Sequence, residues 1–290
     1  MTAQRAERGQ GPAPDTCVVT RFAPSPTGLL HLGHALSAVL AHDLAQAAGG
    51  RFLLRIEDID TTRARAAYVE ATLADLAWLG LGHEAPVFQS ARVELYADAL
   101  ARLRGIGLVY PCFCTRADLA AASAPHGVAA VYPGTCRGLA APDLSRPHCW
   151  RLDVRAALAG ELWWHDATAG PVRADPGAQG DVILARKDAA AAYHLAVTVD
   201  DAAQGVTDVV RGRDLFRATD VHRLLQALLD LPTPRYHHHP LILGSDGARL
   251  AKRHGSPTLA AMREAGGDGV ALAHALREGR LPTGFRLADS

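Results

Sequence analysis

The chain has 290 residues, 49% apolar and 21% charged, a balance that excludes wholesale disorder, and its length suits about two domains. Thirty Lys and Arg offset thirty Asp and Glu, so no global field draws the chain to a polyanion, and any nucleic-acid contact has to be a local basic patch. No run reaches the roughly eighteen consecutive apolar residues of a membrane helix, and residues 1–16 lack the apolar middle of a signal peptide. A cytoplasmic protein with a disordered leader over 1–16, and no membrane partner, is expected.

In chain order, Cys17 to Phe22 reads as a short buried strand that breaks at Pro24 and Pro26. Leu32, Ala35, Leu36, Val39, Leu40 and Leu44 then recur at helical spacing until Gly49 and Gly50 stop the helix. The nearly continuous apolar run Phe52, Leu53, Leu54 and Ile56 suits a strand covered on both faces of a parallel sheet, which completes a β-α-β unit. A second helix carries Tyr68, Leu73, Leu76 and Leu79, with Asp60 to Thr62 as its candidate caps. From about 105 to 190 the character changes to Pro- and Gly-rich breaks, short strand-like runs and three cysteines, as in an insertion. AYHLAVTVDD and TDVVRGRDL then resume strand-like runs, and ATDVHRLLQALLDL is a periodic helix that ends before Pro232. The alternation predicts a doubly wound α/β core.

Two phosphate signatures are missing: no GxGxxG follows the first strand, and no GxxxxGK[ST] occurs. At the same topological place stands RFAPSPTGLLHLGH, in which His31 and His34 share one face at a helix start. Imidazole N–H groups there can bind phosphates that the helix N-terminus already attracts, and Gly33 lets a flat ring approach the backbone. Spacing alone equally allows two unrelated polar histidines. His237, His238 and His239 are adjacent on a strand and point to alternate faces, so they do not suit one metal ion. The five cysteines are odd in number and three fall within 112–136, which favours a metal or redox site over a disulfide scaffold.

APSPTGLLHLGH resembles the HIGH signature of class I aminoacyl-tRNA synthetases in its glutamyl form. RIEDID, DVVRGRDL after AYHLAVTVDD, and the late RLAKR resemble further motifs of that subgroup in the same order, from about Arg21 to about Ala260. The chain stops some thirty residues after the last motif, where a full glutamyl-tRNA synthetase continues into an anticodon-binding region, so the closer resemblance is to the truncated glutamyl-queuosine tRNA(Asp) synthetases. The resemblance implies an α/β, Rossmann-like catalytic domain with a zinc-containing insertion, a short helical C-terminal segment and no anticodon-binding domain. Its divisions are 17–104 and 193–244 for the two catalytic halves, 105–192 for an acceptor-binding insertion, and 245–290 for a KMSKS-like loop with helices.

It further implies ATP-dependent activation of L-glutamate, with Mg²⁺, and transfer of glutamate to queuosine in the anticodon of tRNA(Asp), by a monomer. The alternatives are an enzyme that charges a tRNA 3′ end and a catalytically idle RNA-binding paralogue. Arg21, Phe22, Ala23, Pro24, Ser25, Glu57, Tyr193 and Arg211 match glutamate-binding positions, and His31, Gly33, His34 and Lys252 match the ATP site, with His31, His34 and Lys252 catalytic. Arg21 or Arg211 can fork a substrate carboxylate, and Glu57 can receive the ammonium. RLAKR departs from KMSKS by Arg249 and Ala251 but keeps Lys252, which can reach the α-phosphate as its charge builds. Cys112, Cys114, Tyr132 and Cys136 resemble the ligands of one structural Zn²⁺; by spacing alone His126, His148 or Cys149 would be more ordinary fourth donors.

Overall fold

A computed structural model describes residues 17–115, 117–118, 131–248, 250 and 257–288. The leader expected over 1–16 lies outside the described residues. Strands β1 (Val19–Phe22), β2 (Arg51–Ile56) and β3 (Val87–Phe88) form a parallel sheet, connected by helices α1 (Leu32–Ala47) and α2 (Ala66–Trp78). Phe22, Phe52, Leu54 and Ile56 join one apolar cluster, with α1, whereas Val19 and Leu53 join another. This alternation is that of strands covered on both faces, each fully buried large side chain contributing about 1.5–3 kcal/mol. Gly50 closes the first unit because a Cβ there would fall 2.0 Å from the Val18 carbonyl oxygen. Helix α2 begins later than the expected caps. Its N-cap is Arg65, without a side-chain cap, while Asp60 instead accepts from Thr62 and Arg63.

After α3 (Val93–Gly105) come β4 (Val109–Cys112), β5 (Cys149–Leu152), β6 (Trp163–Asp166), β7 (Gly170–Arg173) and β8 (Ile183–Ala185). Antiparallel β4, β5 and β8 make a small separate sheet. The β6–β7 hairpin does not stay with them: β6 pairs in parallel with β10 (Arg235–His239), beside β9 (Asp208–Gly212). Part of the segment between the two catalytic halves thus belongs to the second half's sheet.

AYHLAVTVDD is not a strand. Tyr193–Ala203 is a helix in which every residue from Leu195 to Asp201 is buried, so no polar face marks a helical period. The following strand β9 and the helix Ala218–Leu229 are as expected.

The parallel sheet of β1, β2 and β3 and the mixed sheet of β7, β6, β10 and β9 meet edge to edge. Thr207 donates its N–H to the Val19 carbonyl at 2.9 Å, and Arg21 Nη1 donates to the Val210 carbonyl at 3.4 Å, so β1 and β9 run the same way side by side. The resulting order β3-β2-β1-β9-β10 is the doubly wound pattern, with its reversal point between β1 and β9. The C-terminal helices Leu259–Glu264 and Gly269–Arg277 pack on α1 and α2, tied by Arg277 to Asp43 at 2.7 Å and by Trp78 to the Gly267 carbonyl at 3.0 Å. Beyond them β12 (Arg286–Leu287) pairs with β11 (Ile242–Leu243). Among the described residues no helix is long and apolar enough to cross a membrane.

Candidate active site

A cavity of about 510 Å³ opens where the C-terminal ends of β1 and β9 diverge, the place at which open α/β sheets bind ligands. Its wall includes Arg21, Phe22, Ala23, Pro24 and Ser25 from the end of β1, His31, Gly33 and His34 from the start of α1, Glu57 after β2, Tyr193 and Arg211. These residues come from four separate stretches of the sequence, 21–34, 57, 193 and 211, and every described residue expected to touch glutamate or ATP is among them. The loop from β1 is held open by Glu57 N–H donating to the Pro24 carbonyl and Arg65 N–H to that of Pro26, both at 3.0 Å.

His31 is the N-cap of α1, in extended conformation. Its Nδ1 accepts from Gly33 N–H at 3.1 Å, and Nδ1 of His34 accepts from His31 N–H at 3.1 Å. The two histidines are therefore a reciprocal capping box, as well as part of the cavity wall. A neutral imidazole that accepts at Nδ1 carries its proton on Nε2, so each ring is a donor at its far edge. The rings lie 3.8 Å apart, and the flat ring close to Gly33 is that of His31: a Cβ there would sit 3.0 Å from its Cε1.

The two arginines differ in their neighbours. Arg21 is ion-paired with Asp201, Nε to Oδ1 at 3.0 Å. Among the described residues Arg211 hydrogen-bonds only neutral groups: His238 Nε2 at 3.1 Å, His222 Nδ1 at 3.3 Å, the Tyr193 hydroxyl at 3.4 Å, the Leu215 carbonyl at 3.3 Å and Thr219 Oγ1 at 2.6 Å. Burial keeps the Tyr193 phenol protonated, outweighing the opposite pull of Arg211. Beneath the cavity floor Arg55 is fully buried. Its Nη1 donates to Asp201 at 2.8 Å and to Gln204 at 2.8 Å, with Glu57 at 3.5 Å and Asp200 at 3.7 Å. Burial opposes its charge, yet Asp201, Glu57 and Asp200 raise its pKa above the usual arginine value. Burial would lift Asp201 as well, but Arg21 and Arg55 hold it below the carboxylate range. In Glu57 burial wins over Arg55 and Arg21, and its pKa rises.

Lys252 lies outside the described residues. The chain on either side of it is at the cavity: Leu250 lines the wall, and Thr258 bridges to His31, with Leu259 N–H donating to the Leu30 carbonyl at 2.9 Å.

A second constellation lies in the small sheet. The sulfurs of Cys112, Cys114 and Cys136 all lie within 4.8 Å of one another, Cys114 and Cys136 at 3.7 Å. The Tyr132 hydroxyl is 3.3 Å from Cys112 and 3.6 Å from Cys114. A tetrahedral ion with metal–sulfur bonds of about 2.3 Å has sulfur–sulfur edges of roughly 3.8 Å, so these donors fit a closed four-ligand site. Burial opposes ionisation of Cys112, but hydrogen bonds from Tyr132 and Arg151 bring its pKa down to about 7, while burial takes Cys114 to about 11. Cys149 faces Cys112 across β4 and β5, and burial lifts its thiol to about 11; it is not one of the three clustered sulfurs.

Residues 17–279 match the family model for the catalytic domain of class I tRNA synthetases of the E and Q type. The chain is 50% identical over 269 residues to a glutamyl-Q tRNA(Asp) synthetase of Rhodobacter capsulatus, covering 86% of this chain and 96% of that protein. It belongs to the glutamyl-Q tRNA(Asp) synthetase family. Another relative in this family, from Symbiobacterium thermophilum, is 51% identical over 265 residues, which is 85% of this chain and 81% of that protein. Among solved structures, a glutamate-tRNA synthetase from Elizabethkingia anophelis superposes with a TM-score of 0.73 at 27% identity over 84% of this chain. A glutamate tRNA ligase from Elizabethkingia meningosepticum, in complex with its amino acid, does so with 0.72 at 27% identity. The chain spans about half the length of these two, 55% and 54%.

In this glutamyl-Q tRNA(Asp) synthetase family member some residues at or behind the cavity wall were not legible as such: His239, which lines it, and Arg55, Asp201, His222 and His238, which touch its Glu57, Arg21 or Arg211. Arg55 carries a signal, a charge inside an otherwise apolar strand, and Asp200-Asp201 closes an apolar run. His222 and His238 carry none, because the pairing of β10 with β9 sets His238 opposite Arg211 and only the packing of the helix Ala218–Leu229 brings His222 to it.

Proposed function

We propose that the protein joins L-glutamate to ATP as glutamyl-adenylate and passes the glutamate to the queuosine base in the anticodon of tRNA(Asp). One observation carries this reading: the residues of separate glutamyl-type motifs converge on one cavity whose buried part contains an ammonium acceptor, Glu57, and a cation, Arg211, that among the described residues pairs with no carboxylate. Glutamate has one ammonium and two carboxylates, so an acid and a neutral-cradled arginine facing it are complementary. Arg211 is assigned the carboxylate and Glu57 the ammonium; Arg21, already paired with Asp201, braces the pocket. In the first step an oxygen of the α-carboxylate attacks the α-phosphorus, the bond to the bridging oxygen of the β-phosphate breaks, and pyrophosphate leaves; Mg²⁺ entering with ATP would offset the phosphate charge. His31 and His34 donate from Nε2 to the nucleotide phosphates, and Lys252 stabilises charge on the α-phosphate. In the second step a hydroxyl of queuosine attacks the acyl carbon and AMP leaves.

Cys112, Cys114, Tyr132 and Cys136 are assigned one structural Zn²⁺, which would fix the loop after β4 against β5 and offers no open position to substrate. A tRNA substrate places the reaction in the cytoplasm.

The test supplies labelled glutamate, ATP and tRNA(Asp), with and without queuosine, each both intact and with its 3′-terminal adenosine removed. Of the truncated RNAs, label should enter only the one that contains queuosine, and glutamate should drive exchange of pyrophosphate into ATP. Label that requires the 3′ end and ignores queuosine would instead establish a tRNA-charging enzyme, and no exchange would establish an idle paralogue.

A further inference from the structure

Arg211 is held by two imidazoles whose tautomers the geometry fixes. Nδ1 of His238 lies 2.8 Å from Asp166 Oδ2 and so carries the proton, which leaves Nε2 to accept from Arg211 Nε at 3.1 Å. The roles reverse in His222: Nδ1 accepts from Arg211 Nη1 at 3.3 Å, and Nε2 faces Nδ1 of His194 at 3.1 Å. Thr219 Oγ1 accepts from Nη2 and completes the cradle. The carboxylate of Asp166 is thereby kept one imidazole away from the guanidinium. It is occupied by the N–H groups of Thr168, at 3.0 Å, and Ala169, at 2.9 Å. His238 is locked among Trp164, Phe216 and Tyr236, the last stacked on it at 6°.

A carboxylate in direct contact, such as Arg21 has in Asp201, would neutralise the arginine and compete with an anionic ligand. A neutral acceptor orients the fork and leaves the charge for the ligand. We propose that His238 and His222 are positioning residues that aim Arg211 and preserve its full charge for the carboxylate of glutamate, Asp166 acting only through His238. The ligand named rests on the function proposed above; the cradle itself does not. Burial, and next the charge of Arg211, push both imidazoles down, His238 to about 4 and His222 well below its ordinary value, so both are neutral near pH 7.

Two measurements test this. Nitrogen-15 spectra of the histidines in the ligand-free protein at neutral pH should show His238 protonated at Nδ1 alone and His222 at Nε2 alone. A doubly protonated ring, or the opposite tautomer in either, would overturn the cradle whatever the substrate proves to be. In glutamate-dependent pyrophosphate exchange, His238→Glu, which sets a carboxylate on Arg211, should raise the glutamate KM by roughly 10- to 150-fold, and His238→Gln, a neutral acceptor, by less than about fivefold. The ATP KM should stay put in both, which a general loss of structure would not spare. Equal glutamate KM values in the two variants would refute the role. If His238→Glu fails to fold, His222→Glu against His222→Gln makes the same comparison.

Discussion

Glu57 and Arg211 face one cavity with opposite charge, and burial acts differently on each. For an arginine, ionisation is secure and only orientation has to be arranged. For Glu57 ionisation itself is at stake, since burial raises its pKa despite Arg55 at 3.5 Å. Only the ionised form can receive an ammonium. Glutamate affinity should therefore weaken as pH falls through that raised pKa, beginning above the range in which an ordinary glutamate titrates. Glu57→Gln removes the charge with little change of shape and should raise the glutamate KM by about 10- to 150-fold, the value of a charge-assisted hydrogen bond. It should also flatten the acid limb of the glutamate KM against pH, measured by pyrophosphate exchange. A Gln variant that keeps both the wild-type KM and its pH dependence would remove Glu57 from the ammonium site.

At the scale of elements, the cysteine cluster belongs to the end of β4, the residues just after it and the segment 131–136: Cys112, Tyr132 and Cys136 form their own small buried cluster, apart from the larger cores. Without a bound ion, such a cluster has few apolar contacts to order it. Cys136→Ser is expected to lower bound zinc from about one per chain to less than half that, by metal analysis of the purified protein, and to speed limited proteolysis within 109–152. The sheet of β1, β2 and β9 should stay protected. Full zinc occupancy in the variant would remove Cys136 from the donor set. The sequence made this element-level plan legible where periodicity and chemistry coincide. The strand, glycine stop and strand around α1 could be read because apolar spacing changes from helical to continuous at Gly49 and Gly50. It failed at Tyr193–Ala203, because a helix buried all round has no polar face, and its Val and Thr residues imitate a strand. It also placed the β6–β7 hairpin with the cysteine-bearing segment, since nothing local says that Trp163–Asp166 will pair with β10 rather than β5. The cavity wall was legible through the motif resemblance; the cradle behind it depends on contacts between residues 166, 211, 222 and 238, which no local spacing encodes.

For the whole molecule the seam between β1 and β9 is the point where the two halves of the sheet, far apart in sequence, have to meet. Among the described residues few hydrogen bonds cross it, chiefly between Thr207 and Val19, and besides the apolar contact of Val19 and Leu53 with Val206 and Val209 and of Phe22 with Val210, the tie is electrostatic. Arg55 on β2 reaches Asp201 and Gln204 at the end of the helix Tyr193–Ala203, Arg21 on β1 reaches the same Asp201, and Arg92 reaches Asp200 at 2.6 Å. Three cations and three carboxylates, with Glu57, thus balance beneath the cavity. Nε and Nη2 of Arg55 are within ion-pair reach of Asp200 and Glu57 but make no hydrogen bond, so the cluster is held by charge more than by geometry. Deleting one member of such a buried set strands its partners, at about 3–5 kcal/mol, whereas removing opposite charges together costs less. Arg55→Leu should accordingly lower the thermal midpoint by roughly 6–20 °C, at about 2–4 °C per kcal/mol for a chain near this size. Adding Asp201→Asn should recover part of that loss, because one of the stranded carboxylates is then gone. If the double variant were less stable than Arg55→Leu by the full cost of a second independent deletion, the seam would be held by packing, and the charges beneath the cavity would serve the ligand alone.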